Sequence, residues 1–221
     1  MKTKISNWVK KKWLGGLMIF LLMPIFLTAC SIQEKSEEQN MFLESNPDHR
    51  AVLVVAFQGF NDIEYQVTKK TLEDLNIKTT TISSQTGEAI GKFGQSINIE
   101  KTFSDIEIDR FGAVVFIGGP GVSDYINDDS VHQFIHEAIE KNKVLGAICL
   151  APAILSRAGV LENKEATIWS SPLDKETIKI LKEGKAKYVD ELVVVDGLIV
   201  TANSPMAAEN FGKKLGELLL K

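Results

Sequence analysis

The two residue types that most often carry catalytic or metal-binding chemistry are scarce in this chain. It has 2 cysteines and 3 histidines among its 221 residues. Two cysteines are too few for a disulfide scaffold or for a metal site built from several thiolates. Cysteine chemistry therefore falls on Cys30 or Cys149, and the sequence predicts neither a metal site nor a cofactor.

Acidic side chains are absent from residues 1–29, which contain five lysines. The rest of the chain has 20 basic and 29 acidic side chains, a net charge of −9, and this acidity argues against nucleic acid as a partner. An apolar stretch over residues 13–29 follows the lysines. It is short for a membrane span and contains Gly15, Gly16 and Pro24, so it is typical of a signal peptide.

The apolar stretch ends in "LTAC", residues 27–30, which resembles the lipobox of bacterial lipoproteins. The resemblance implies cleavage before Cys30 and lipidation of that cysteine; the alternative is an uncleaved anchor helix. In both cases the protein is exported and held at the cell membrane or envelope. Residues 30–49 are polar and acidic, which predicts a flexible tether, and residues 50–221 form one predicted domain.

That domain alternates apolar runs with amphipathic stretches. Strands are predicted at residues 51–57, 77–83, 113–119 and 143–148, with a hairpin at 191–202. Helices are predicted at residues 62–76, 130–142, 151–161, 173–184 and 206–220. This order predicts an α/β fold in which a mostly parallel sheet is covered on both faces and reactive groups collect beyond the carboxyl ends of the strands.

Cys149 lies in "LGAICLAP", residues 145–152, directly after a predicted strand. A nucleophile on a strand-to-helix turn needs small neighbours, and this cysteine has them. A helix N-terminus and nearby N–H groups are expected to lower the thiol pKa. The Leu150 amide and glycine amides from "GGPG" (Gly118, Gly119) would form an oxyanion hole. The alternative is a buried structural thiol.

Four segments resemble, in order and spacing, the DJ-1/ThiJ/PfpI superfamily: "GFNDIE", "FIGGPG", "LGAICLAPAILSRAGVL" and "ELVVVDGLIVTANSP". The resemblance covers residues 50–221 and implies a flavodoxin-like α/β sandwich related to class I glutamine amidotransferases. It also implies a reactive Cys149 whose sulfur contacts Glu64, and a homodimer. A protonated Glu64 would donate a hydrogen bond to the thiolate or its sulfinate; the alternative is an exposed glutamate stabilised by the helix dipole.

Two positions depart from the hydrolytic members of that family. Many have a histidine right after the cysteine, where this chain has Leu150, and others have one on a later strand, where Ser171 stands. His132 and His136 lie four residues apart on a predicted helix, which is typical of solvated positions, and no pattern brings them to Cys149. Acyl transfer needs an acid and a base, so the sequence disfavours a protease.

Three functions are therefore expected, and the sequence leaves open whether the protein is an enzyme. The first is stress-related thiol chemistry by Cys149, acting on a small carbonyl compound (glyoxalase- or deglycase-like) or sensing an oxidant. The second is a non-catalytic binding or protective module that keeps the fold. The third is a cysteine hydrolase whose histidine comes from elsewhere in the fold or from a second subunit.

Overall fold

The computed structural model describes residues 46–221, apart from Pro172, Asp174 and the side chain of Asp48. The predicted signal peptide, Cys30 and nearly all of the predicted tether lie outside the described residues, so those expectations stay predictions. Within the described part of the chain, no helix is long and apolar enough to cross a membrane.

Eleven strands and five α-helices occur among the described residues. The strands are β1 (Arg50–Val54), β2 (Gln58–Phe60), β3 (Lys78–Ile82), β4 (Gly87–Gly91), β5 (Ser96–Ile99), β6 (Ala113–Phe116), β7 (Val144–Ile148), β8 (Glu165–Ala166), β9 (Lys187–Tyr188), β10 (Val193–Asp196) and β11 (Ile199–Ala202). The helices are α1 (Asp62–Asp74), α2 (Asp129–Glu140), α3 (Pro152–Arg157), α4 (Glu176–Glu183) and α5 (Ala208–Leu219).

Six of the strands form the central sheet, in the order β10-β11-β7-β6-β1-β3. All neighbours are parallel except β10 and β11, which form an antiparallel hairpin with Gly197 at its turn. The arrangement is the α/β sandwich with a mostly parallel sheet that the sequence predicts.

Both faces of this sheet are covered, which explains the unbroken apolar runs. In β1, Ala51 and Leu53 pack into the core on one face, under α1 and α5. Val52 and Val54 pack into the core on the other face, under α2, α3 and α4. Successive strand residues point to opposite faces, so a strand buried on both sides must be apolar at every position.

A second, three-stranded sheet was not predicted. Strand β4 pairs with β2 and, in an antiparallel hairpin, with β5. The strands are short and polar on one side, and residues 87–99 contain three glycines, so the apolar alternation that identifies a strand is weak here. This β4–β5 hairpin, whose tip is residues 92–95, supplies part of the functional site.

The order of the central strands determines where that site lies. Strands β7, β6 and β1 are neighbours and parallel, so their carboxyl ends meet at one edge. The segments that follow them begin at Cys149, Ile117 and Val55, and they converge there.

Candidate active site

Cys149 directly follows β7 in a strained backbone conformation. Its φ is 61°, in the left-handed region that costs a non-glycine residue about 1–2 kcal/mol. Hydrogen bonds on both sides hold it there: its N–H donates to the Ala202 carbonyl at 2.8 Å, and its carbonyl accepts from the Trp169 N–H at 2.9 Å. Strain maintained in this way is typical of a nucleophile elbow rather than of an ordinary core cysteine.

Glu64 lies in the first turn of α1 and is fully buried, so the alternative of an exposed glutamate is wrong. Asn61 caps the helix, and its Oδ1 accepts from the N–H groups of Ile63 and Glu64 at 3.2 and 3.3 Å. The Glu64 carboxyl points inward. Its Oε2 accepts from the Gly118 N–H at 3.1 Å, and the Cys149 thiol hydrogen-bonds to the same carboxyl. Among the described residues, Oε1 has no N–H or O–H partner.

Gly118 and Gly119, which follow the end of β6, lie where there is no room for a side chain. A Cβ on Gly118 would lie 2.5 Å from Glu64 Oε2 and 2.6 Å from Cys149 Cβ. A Cβ on Gly119, whose φ is 113°, would lie 2.4 Å from the Gly59 carbonyl oxygen. The absence of side chains here lets the carboxyl and the thiol approach each other.

The two acidic groups perturb one another. Burial raises the pKa of Glu64 to about 7, although the hydrogen bonds from Cys149 and Gly118 and the positive charge of Lys92 lower it. Burial and the charge of an ionised Glu64 also raise the pKa of the Cys149 thiol well above its usual range. The expected lowering by backbone amides is present, because the N–H groups of Gly119 and Leu150 donate to the sulfur, but burial outweighs it.

The glycine amides therefore have separate roles. The Gly119 and Leu150 N–H groups are directed at the sulfur, where an oxyanion would form beside it. The Gly118 N–H instead donates to Glu64, so the expectation that Gly118 belongs to the oxyanion hole is corrected: it holds the carboxyl in place. The oxyanion role of the other two amides stays a prediction.

Cys149 opens into a cavity of about 270 Å³. The residues that line it beside Cys149 include Asn61, Ile63, Lys92, Phe93, Leu150 and Trp169. Sequence reasoning missed Lys92, Phe93 and Trp169, which lie far from the elbow along the chain. An exposed aromatic residue in a glycine-rich turn, as in "GKFG", is the one sequence signal that could have indicated a binding surface.

The residues considered as substitutes for a catalytic histidine do not line this cavity. Ser171, His132 and His136 are absent from its described walls. His132 Nε2 instead lies 3.0 Å from the carbonyl oxygen of Ile126. Within residues 46–221 as described, no three or more His, Cys, Asp or Glu side chains group as metal ligands would.

A cysteine on a strained strand-to-helix turn, backed by a buried carboxyl at the edge of a parallel sheet, defines a class: flavodoxin-like α/β proteins with a nucleophile elbow. Within that class the chain belongs to the DJ-1/PfpI family, which it matches over residues 50–218.

Relatives within the family carry different names. A Bacillus subtilis protein whose name suggests a cysteine protease is 30% identical, over 77% of this chain and 98% of its own length. A deglycase of Thermococcus kodakarensis is 28% identical, over 70% of this chain and 90% of its own. The crystal structure of a ThiJ/PfpI domain protein from Brachyspira murdochii superposes with a TM-score of 0.74 and 31% identity, covering 78% of this chain and 96% of that one.

Proposed function

We propose that the domain handles small reactive carbonyl compounds, with Cys149 as the nucleophile and Glu64 as the group that moves its proton. The observation that carries this proposal is the buried Glu64–Cys149 pair, whose cysteine lines a cavity and has two N–H groups directed at its sulfur. The name of the deglycase relative supports the same class of substrate.

The addition step needs only groups that the site holds. The Glu64 carboxylate takes the thiol proton, and the thiolate adds to an aldehyde carbon. A C–S bond forms while the C=O π electrons move to oxygen, where the N–H groups of Gly119 and Leu150 would stabilise the charge. Glu64 then returns the proton, which gives a neutral hemithioacetal. To form lactate, a proton must then move from the former aldehyde carbon to the neighbouring ketone carbon, which converts the hemithioacetal to a thioester. One water hydrolyses the thioester, which breaks the C–S bond and frees the Cys149 thiol, so no oxidant or reductant is needed.

Turnover of methylglyoxal by the full-length chain tests the proposal, measured as loss of the dicarbonyl and formation of lactate. Cys149→Ser should abolish turnover, and Glu64→Gln should lower kcat/KM by roughly a hundredfold because the proton can no longer be transferred. Glu88→Gln, on an exposed residue outside the cavity, is the matched control. Full turnover by Cys149→Ser would contradict the proposal.

One observation favours a second candidate, the non-catalytic module. The raised pKa of Cys149 keeps its thiol protonated at neutral pH unless Glu64 takes the proton. The rate of alkylation by iodoacetamide against pH separates the two. A reactive pair should show a step near pH 7 that follows Glu64 and disappears in Glu64→Gln, whereas an inert thiol should react only in strongly alkaline solution.

We propose oxidant sensing as a second role of the same Glu64–Cys149 pair. The neutral Glu64 carboxyl, favoured by its raised pKa, would donate a hydrogen bond to an oxidised sulfur. Two equivalents of hydrogen peroxide would supply the two oxygen atoms of a Cys149 sulfinate. Mass spectrometry after peroxide treatment should detect it in the wild-type chain. Stable sulfinate in equal amounts in Glu64→Gln would count against the role of the carboxyl.

We also propose that the domain is exported and anchored by lipid on Cys30, a proposal that rests on "LTAC" and its flanks. Metabolic labelling with an alkyne fatty acid should mark the wild-type chain but not Cys30→Ala, with Cys149→Ala as the control that retains the label. An unlabelled wild-type chain would contradict the proposed lipidation of Cys30. Homodimerisation, which the family resemblance implies, is testable on the same material by light scattering.

A further inference from the structure

The tip of the β4–β5 hairpin is held against the active site by its backbone. Asp62, two residues before Glu64, accepts from the Phe93 and Gln95 N–H groups at 2.9 and 2.8 Å. The Lys92 N–H donates to the Phe60 carbonyl at 2.7 Å. The position of Lys92 is therefore tied to the same helix start that positions the catalytic carboxyl.

Lys92 is the charged side chain in the walls of the cavity as the structure describes them, and four of its neighbours there are apolar: Ile63, Phe93, Leu150 and Trp169. Its side chain is exposed and forms no salt bridge with a described residue, while its Nζ lies 5.3 Å from the centre of the Phe93 ring. A cation–π contact of this length keeps the ammonium group near the rim without neutralising it.

Lys92 places a positive charge at the cavity of a protein whose net charge is negative. Residues 30–221 carry 20 basic and 29 acidic side chains, so the overall field repels anions. Burial and an ionised Glu64 make the surroundings of Cys149 unfavourable for a second negative charge. An anionic group on a bound molecule would therefore be more stable near Lys92 than beside Glu64.

We propose that Lys92 determines specificity, and that it selects small carbonyl compounds that carry a carboxylate. The aldehyde carbon would reach Cys149, the carboxylate would lie at the rim beside Lys92, and the apolar walls would enclose the carbon chain between them. This inference rests on the proposed carbonyl chemistry, but its main test does not require turnover.

The test compares two alkylating reagents of similar size on Cys149 at one pH: iodoacetate, which is anionic, and iodoacetamide, which is neutral. The ratio of their rates cancels changes in thiol reactivity that affect both reagents. Lys92→Gln should lower the iodoacetate-to-iodoacetamide ratio about fivefold at low ionic strength, less at high ionic strength, and Lys92→Arg should restore it.

Lys143→Gln is the matched control. Lys143 directly precedes β7 and so lies at the opposite end of that strand from Cys149, and its loss changes the net charge equally. An unchanged ratio in Lys92→Gln, or an equal fall in Lys143→Gln, would overturn the proposal.

Turnover gives a second comparison, between phenylglyoxal and 4-carboxyphenylglyoxal. The ratio of kcat/KM for the charged to the neutral compound should fall in Lys92→Gln. If neither compound is turned over, the proposed function fails while the alkylation ratio still decides the role of Lys92. If both are turned over and neither ratio changes, the function stands and the selection by Lys92 is wrong.

Discussion

The elbow that carries Cys149 and the hairpin that carries Lys92 border the same cavity but are built in opposite ways. The elbow lies at the edge of the central sheet, where Glu64 is fully buried and Cys149 is 7% exposed. The hairpin belongs to a small sheet, and Phe93 at its tip is 63% exposed. The buried, tightly packed elbow fixes the geometry of the proposed thiol chemistry. The exposed rim, where we propose that substrates are selected, can change without disturbing that geometry.

The largest expected effect comes from a pair of glycines that both have a positive φ. At both Gly119 (φ 113°) and Gly94 (φ 93°), replacing glycine with a residue that has a side chain would strain the backbone. Only at Gly119 would the added Cβ also collide with backbone atoms, because nothing lies within 4 Å of it at Gly94. Gly119→Ala should cost about 3 kcal/mol or more and Gly94→Ala about 1 kcal/mol, measured by denaturant unfolding. Equal losses would show that the elbow is not packed more tightly than the hairpin.

The second effect is a pH dependence of stability that only the elbow should show. Glu64 has a folded pKa of about 7 and an ordinary value of 4.5, so the folded state holds its proton more tightly than the unfolded state does. Its contribution is fully present below pH 4.5 and is lost as the pH rises through 7, an upper limit of about 3 kcal/mol.

The stability of the wild type minus that of Glu64→Gln should therefore fall between these pH values. Cys149→Ala should keep or enlarge this fall, because burial is the largest cause of the raised pKa of Glu64 and the hydrogen bond from Cys149 lowers that pKa. A difference that rises with pH would mean that Glu64 is not buried as described.

A smaller effect should appear when the link between the two regions is weakened. Asp62→Asn replaces one of the oxygens that accept from the Phe93 and Gln95 N–H groups with an amide nitrogen. We expect a loss of about 1–2 kcal/mol and faster hydrogen exchange at the hairpin tip, with exchange in β7 unchanged. Equal acceleration in β7 would show that the hairpin and the elbow open as one unit.

The smallest effect is expected at the rim itself. Phe93→Ala removes a ring that is mostly in water already, so the free energy of unfolding should change by no more than about 0.5 kcal/mol. Phe211→Ala, at a fully buried position in α5, is the contrast and should cost about 3–5 kcal/mol. A large loss of unfolding free energy in Phe93→Ala would show that the hairpin tip belongs to the core.

Most of the central fold was predictable because its strands have a distinctive sequence pattern. Runs such as residues 51–57 and 113–117 are apolar at every position, which is typical of strands buried on both faces. The small sheet was not predictable, since its short strands are half polar and interrupted by glycine. The site divides in the same way: Cys149 and Glu64 could be named from motifs, while Lys92, Phe93 and Trp169 could not.

The α/β architecture and the turn that carries Cys149 could be inferred from the sequence because both depend on local pattern: apolar periodicity and small residues at a tight turn. The pairing of Cys149 with Glu64 was implied only by the family resemblance of the surrounding motifs. Three further features required the folded structure: the direction in which the pKa of Cys149 moves, the role of the Gly118 amide and the presence of Lys92 at the rim. These depend on burial, close approach and charge between segments distant in the chain, and such distances exist only once the chain has folded.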